Sequence, residues 1–115
     1  MKVEKSILTE YEAKDFQRSR PQHASAIVTD YGFIRYLEGF GDDAKKAVLE
    51  AVVKDCFKDG SGFTRLSIYT ERKNIKVLEA VGFKEVVKSN AVSEYDPSKC
   101  LMEIYKENQE WKRLK

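Results

Sequence analysis

The chain has 115 residues, one histidine and two cysteines, and its 21 lysines and arginines nearly balance 19 aspartates and glutamates for a formal net charge of +2. That length supports one core and not two, a hydrophobic share of 42% excludes wholesale disorder, and the near balance leaves no field strong enough to imply nucleic acid or an anionic membrane. Cys56 and Cys100 lie outside any CxxC spacing, and the lone His23 sits beside Pro21 in a polar stretch as an ordinary loop residue, so neither a disulfide framework nor a metal site is expected.

In chain order, residues 3 to 8 predict a short strand. Thr9-Glu10-Tyr11-Glu12 has the form of a capping box, in which the Thr9 hydroxyl accepts from the Glu12 amide while the Glu12 carboxylate reaches back. A helix of about two turns is expected to follow. Pro21 ends it, because proline lacks an amide and forces Arg20 from helical angles. Ala26 to Thr29 and Phe33 to Leu37, joined by Asp30-Tyr31-Gly32, read as a β-hairpin.

Gly39 to Asp43 breaks the strand pattern. From Ala44 to Phe57 apolar residues recur at Val48, Leu49, Val52, Val53, Cys56 and Phe57, the spacing of one wide face of an amphipathic helix. Asp42 or Asp43 is the expected N-cap and Gly60 the C-cap. Phe63 to Tyr69 reads as a strand, then Arg72 to Val81 as a helix presenting Ile75, Leu78 and either Val77 or Val81 inward. Gly82 stops that helix and Phe83 to Lys88 is a strand. Ser89 to Cys100, with its Asp96-Pro97 turn signal, is a loop, Leu101 to Tyr105 a closing strand, and 106–115 a charged tail.

Laid end to end, these elements describe one α/β (α+β) domain over residues 1–115, with a mixed sheet of about six strands, two to three helices and right-handed crossovers. No apolar run of signal length follows the N-terminus and nowhere do eighteen apolar residues follow one another, so a cytoplasmic chain with no membrane partner is expected.

Arg65-Leu66-Ser67-Ile68-Tyr69-Thr70, followed by Asn74-Ile75-Lys76-Val77-Leu78-Glu79-Ala80-Val81-Gly82-Phe83, resembles the C-terminal half of the GNAT superfamily of acyl-CoA N-acyltransferases. Its likeness is closest to the ribosomal-protein acetyltransferase branch, whose helix ends in a "vLEklGF" pattern. The resemblance runs from about Ala26 to Tyr105, and it implies a GNAT-like fold, acetyl-CoA as cofactor and an amine, free or on a protein, as acceptor. Family members hold the pyrophosphate on a Q/R-x-x-G-x-G/A loop at the start of the long helix, where glycines admit backbone amides and the helix dipole favours anions.

Here that loop falls on Phe40-Gly41-Asp42-Asp43-Ala44-Lys45. Phe40 replaces the Arg or Gln, and Asp43 and Lys45 replace the small residues. Asp42 and Asp43 oppose an anion, while Lys45 and Lys46 offset them, and a local shift makes Gly39 and Gly41 the phosphate-facing glycines. The resemblance thus implies Gly39, Gly41, Ala44, Lys45, Lys46 and Asn74 as cofactor-binding residues. Asn74 stands where the ribosomal branch has a serine, and Glu71 where the family has a helix-opening Asn.

The family deprotonates the acceptor amine with a carboxylate, here Glu38 at the end of its strand, with Tyr36 and Tyr69 as further proton-transfer candidates. Leu78 occupies the position of the tyrosine that reprotonates the thiolate. The two helices that frame the family's acceptor site have room here for one short helix. Three functions follow: an N-acetyltransferase using acetyl-CoA; a catalytically inactive GNAT-fold structural or interaction protein, as in small phage and prophage proteins; and, more weakly, a nucleic-acid contact through Trp111, Lys112, Arg113 and Lys115.

Overall fold

The computed structural model describes residues 2–7, 10–15, 21–86 and 97–107. Seven strands form one sheet: β1 (Val3–Ile7), β2 (Glu10–Asp15), β3 (Gln22–Val28), β4 (Phe33–Phe40), β5 (Arg65–Glu71), β6 (Lys84–Glu85) and β7 (Lys99–Tyr105). Helix α1 (Asp42–Phe57) crosses from β4 to β5; a 3₁₀ turn (Arg72–Asn74) and helix α2 (Ile75–Val81) lead from β5 to β6. The sheet order is β1-β2-β3-β4-β5-β7-β6, and every neighbouring pair is antiparallel except β4 with β5.

The seventh strand is β2, where the capping-box pattern predicts a helix. Period two overrides that local signal: Tyr11 and Ala13 turn inward against Ala26 and Ala24 of β3, and all four are buried. Glu12, on the other face, meets His23 at 2.9 Å and Lys14 at 3.3 Å. His23 is accordingly a strand residue of β3 and not a loop residue.

The core lies between the sheet and the two helices. Small residues at Ala13, Ala24 and Ala26 let α1 approach β2 and β3, and Val48, Leu49, Val52, Val53 and Phe57 fill that face at 1% exposure or less. Each such side chain contributes about 1.5–3 kcal/mol through burial. Both Val77 and Val81 join Leu78 inside, over a core that includes Leu66, Ile68, Met102 and Ile104. Helix α2 ends as its sequence predicts: the Gly82 amide donates to the Glu79 and Leu78 carbonyls and the Phe83 amide to Leu78, a Schellman arrangement.

Several boundaries differ from expectation. Helix α1 begins at Asp42 with Gly41 as N-cap, so Asp42 and Asp43 lie inside the first turn and neither side chain caps it. Its C-cap is Lys58 in an extended conformation, not Gly60. Strand β4 continues to Phe40 because the antiparallel ladder to β3 extends through Gly39, and β7 begins at Lys99. The continuation of the Phe83 strand to Lys88 and the tail residues Trp111, Lys112, Arg113 and Lys115 lie outside the described residues. No described helix is long and apolar enough to cross a membrane.

Candidate functional site

Strands β4 and β5 pair only at Phe33 with Ser67 and Ile34 with Ile68. Beyond that point β4 follows β3 to Phe40, while β5 follows β7 to Glu71. The two parallel strands therefore part, and α1 and the turn leading to α2 both start at the open end. Polar side chains from these starts meet across the opening. The Lys45 ammonium donates to Asn74 Oδ1 at 3.0 Å, and Asn74 Nδ2 donates to Thr70 Oγ1 at 2.9 Å. Asn74 stands at the N-cap of α2 yet makes no side-chain cap bond, because both ends of its amide belong to this chain of contacts.

All three residues are buried, Lys45 at 8% and Asn74 at 3% exposure. Among the described residues Lys45 has no carboxylate partner. Removing an ammonium from water costs several kcal/mol, and one neutral amide oxygen returns only part of it. At a helix N-terminus the dipole adds to that positive charge and does not offset it.

The sequence-predicted residues divide. Lys45 and Asn74, 29 positions apart, are brought together. Lys46 points to solvent and meets Glu50 at 3.9 Å. The Ala44 amide donates to Gln22 Oε1 at 3.0 Å, so the first residue of β3 caps α1 from a distance. A Cβ on Gly41 would collide with that Gln22 side chain, and one on Gly39 with the His23 carbonyl and Ala24. Both glycines have positive φ, and the space beside each is filled by protein. Glu38 lies exposed on the diverging part of β4, facing away from α1 and opposite Ser25. Leu78 is fully buried in apolar surroundings and supplies no proton.

Tyr69, the first β5 residue past the last β4 pair, has a buried hydroxyl with no hydrogen-bond partner among the described residues. An orphaned buried hydroxyl costs about 1–3 kcal/mol and calls for a reason. Gln22 and Thr70 are additions that sequence reasoning missed. Thr70 carries a readable signal, a polar residue continuing the inward alternation of Leu66 and Ile68. Lys45 carries one too, standing four before Leu49 on the buried stripe of α1.

A second polar cluster lies at the far end of α1. Asp55 accepts from Tyr11 Oη at 2.5 Å and from Lys5 Nζ at 2.8 Å, beside a cavity of about 220 Å³ also lined by Cys56 and Phe63. The Lys5 ammonium, then the Tyr11 hydroxyl, hold the Asp55 carboxyl down at about 2, and burial pushes the Cys56 thiol up to about 11. These groups satisfy one another and tie β1 and β2 to the helix.

Among solved structures the chain is similar to a point variant of a spermidine N-acetyltransferase from Vibrio cholerae, with a TM-score of 0.51 and 12% identity over 84% of this chain. The fold is GNAT-like. This chain spans 64% of the length of that enzyme. The neighbour supports the GNAT fold and does not single out the ribosomal-protein branch expected from the helix end. No protein-family model matches the chain, and no curated protein matches it in sequence. Set against the acetyl-CoA that the family resemblance implies, the residues present are uneven: Gly39 and Gly41 do not form an open cradle, whereas Lys45 and Asn74 put a buried cation and an amide in contact at the starts of the two crossovers.

Proposed function

We propose that this chain is an N-acetyltransferase-type protein that takes acetyl-CoA in the opening between β4 and β5. The observation that carries the reading is Lys45, an ammonium 8% exposed at the start of α1 that, among the described residues, is answered by a neutral amide and no carboxylate. An anionic cofactor supplies the missing counter-charge, and when bound it supplies the acetyl group as a thioester. Lys45 and Asn74 hold its phosphate end, with the exposed Lys46 adding to the field. Gly39 and Gly41 shape the strand-to-helix turn, and Ala44 keeps the first turn narrow. Glu38 is the carboxylate that accepts a proton from an amine acceptor, and Tyr69 is the hydroxyl available to donate one, since Leu78 has none. The helix end Val77 to Phe83 favours, within this class, the branch that acts on ribosomal proteins. The two free, buried cysteines suit a cytoplasmic setting.

A second reading, a GNAT-fold structural or interaction protein without catalysis, draws support from Gln22, which takes a helix amide that a phosphate would otherwise use, and from Leu78. Titration with acetyl-CoA and with desulfo-CoA, on the wild type and on Lys45→Met, separates the two. Binding that requires Lys45 supports the first, and no binding leaves the second.

A further inference from the structure

Both described helices pack together on one face of the sheet, and β1 pairs directly with β2 as an antiparallel neighbour. The outer face of β1 to β4 is thus left without a described helix. Its side chains form three cross-strand rows: Glu10, Ile27 and Tyr36; Glu4, Glu12, Ser25 and Glu38; and Lys14, His23 and Phe40.

The second row costs stability. Glu4 stands directly opposite Glu12, and like charges facing one another across strands are destabilising. Glu12 is answered by His23 and Lys14, but among the described residues Glu4, Glu10 and Glu38 make no hydrogen bond or ion pair. Arg35, exposed in the β4 bulge, is the other cation nearby. Among the described residues no group of carboxylates and histidines is arranged to hold a metal ion, so the rows are not a metal site. Aromatic surface lies among the charges: Phe40 is 54% exposed, tilted against His23, and Tyr36 is half-buried with its hydroxyl pushed up by burial and by Glu10 and Glu38. Carboxylates without partners beside aromatic faces suit ammonium and guanidinium groups, whose stems also need apolar surface. They repel nucleic acid.

We propose that the outer face of β1 to β4 docks a lysine- and arginine-bearing segment of another protein, with cations on Glu4, Glu10 and Glu38 and their aliphatic stems on Tyr36 and Phe40. This surface shares Glu38 with the acetyl-transfer reading, whereas Glu4 and Glu10 take no part in it, so the docking holds for either proposed function.

The test is fluorescence anisotropy with a labelled peptide of alternating lysine and serine, using the full chain at low ionic strength. The wild type binds it and releases it as salt is added, and a matching glutamate–serine peptide does not bind. Glu4→Gln combined with Glu10→Gln weakens binding about fivefold or more, since exposed pairs each contribute modestly. Glu79→Gln, on exposed α2 surface, leaves it unchanged. Glu38 stays in place so that the result does not depend on a proton-transfer role. The double variant is expected to melt no lower than the wild type, which separates lost binding from lost folding. Equal affinity in the two proteins, no binding by the wild type, or a self-associated chain whose dimer is broken by Glu4→Lys would overturn the proposal.

Discussion

The Lys45 ammonium of α1 and the Asn74 amide of α2 meet at 3.0 Å across the opening that β4 and β5 leave when they part after Ile34 and Ile68. This contact joins two crossovers that no local signal relates, and it places a positive charge in the interior with no carboxylate partner among the described residues. Its energetics set the first prediction.

Lys45→Met keeps the stem and removes the charge. The gain from no longer desolvating an ammonium, several kcal/mol, exceeds the cost of about 1–3 kcal/mol for leaving the Asn74 oxygen without its donor. The unliganded variant should therefore melt at or above the wild-type temperature by calorimetry. For a domain of this size about 1 kcal/mol corresponds to roughly 4–8 °C, so a fall of that size or more means that Lys45 has an anionic partner in the free protein.

Gln22→Ala removes the cap that β3 gives to α1. Loss of an N-terminal cap costs about 0.5–2 kcal/mol, and here no side chain of the helix's own first turn replaces it. Urea unfolding should show a lower midpoint with an unchanged slope. An unaltered midpoint would show that the Gln22 bond contributes nothing net.

Tyr69→Phe deletes a buried hydroxyl that has no partner among the described residues, so it should leave stability unchanged or raise it by up to about 1 kcal/mol. Thermal unfolding measures this directly. A loss of about 1 kcal/mol or more would mean that the hydroxyl is satisfied in solution.

Asp55 sets part of the acid limb. Its folded carboxyl is held at about 2, below the ordinary 3.8, by Lys5 and then Tyr11. Its contribution is fully present above the unfolded value and is lost as pH falls through the folded one, a window from about 4 down to about 2. Asp55→Asn should show a shallower decline in melting temperature across that window. Parallel declines in the two proteins would remove Asp55 from the acid response.

The parts of the fold legible in the sequence are those set by local chemistry: the Gly82 stop, the Asp30-Tyr31-Gly32 turn and the apolar stripe of α1. Strand β2 was hidden because Thr9 to Glu12 carries a helix-start pattern, while the alternation of Tyr11 and Ala13 spans too few residues to outweigh it without the β3 alanines. At the site, motif alignment names Lys45 and Asn74, but their contact depends on how far β4 and β5 diverge, a property of the whole sheet. The Gln22 cap is likewise long-range: nothing around residue 22 indicates that its oxygen meets the amide of residue 44.

The most direct test is isothermal calorimetry of the full chain with acetyl-CoA and desulfo-CoA, beside thermal unfolding at the same concentrations. Saturable binding is expected, with a rise in stability of about 2.7 kcal/mol once ligand reaches about 100 times its dissociation constant, and affinity at least about tenfold weaker in Lys45→Met. No heat and no thermal shift at millimolar ligand, or equal affinity in the variant, would contradict the assignment of Lys45 as the counter-charge of an acetyl-CoA site.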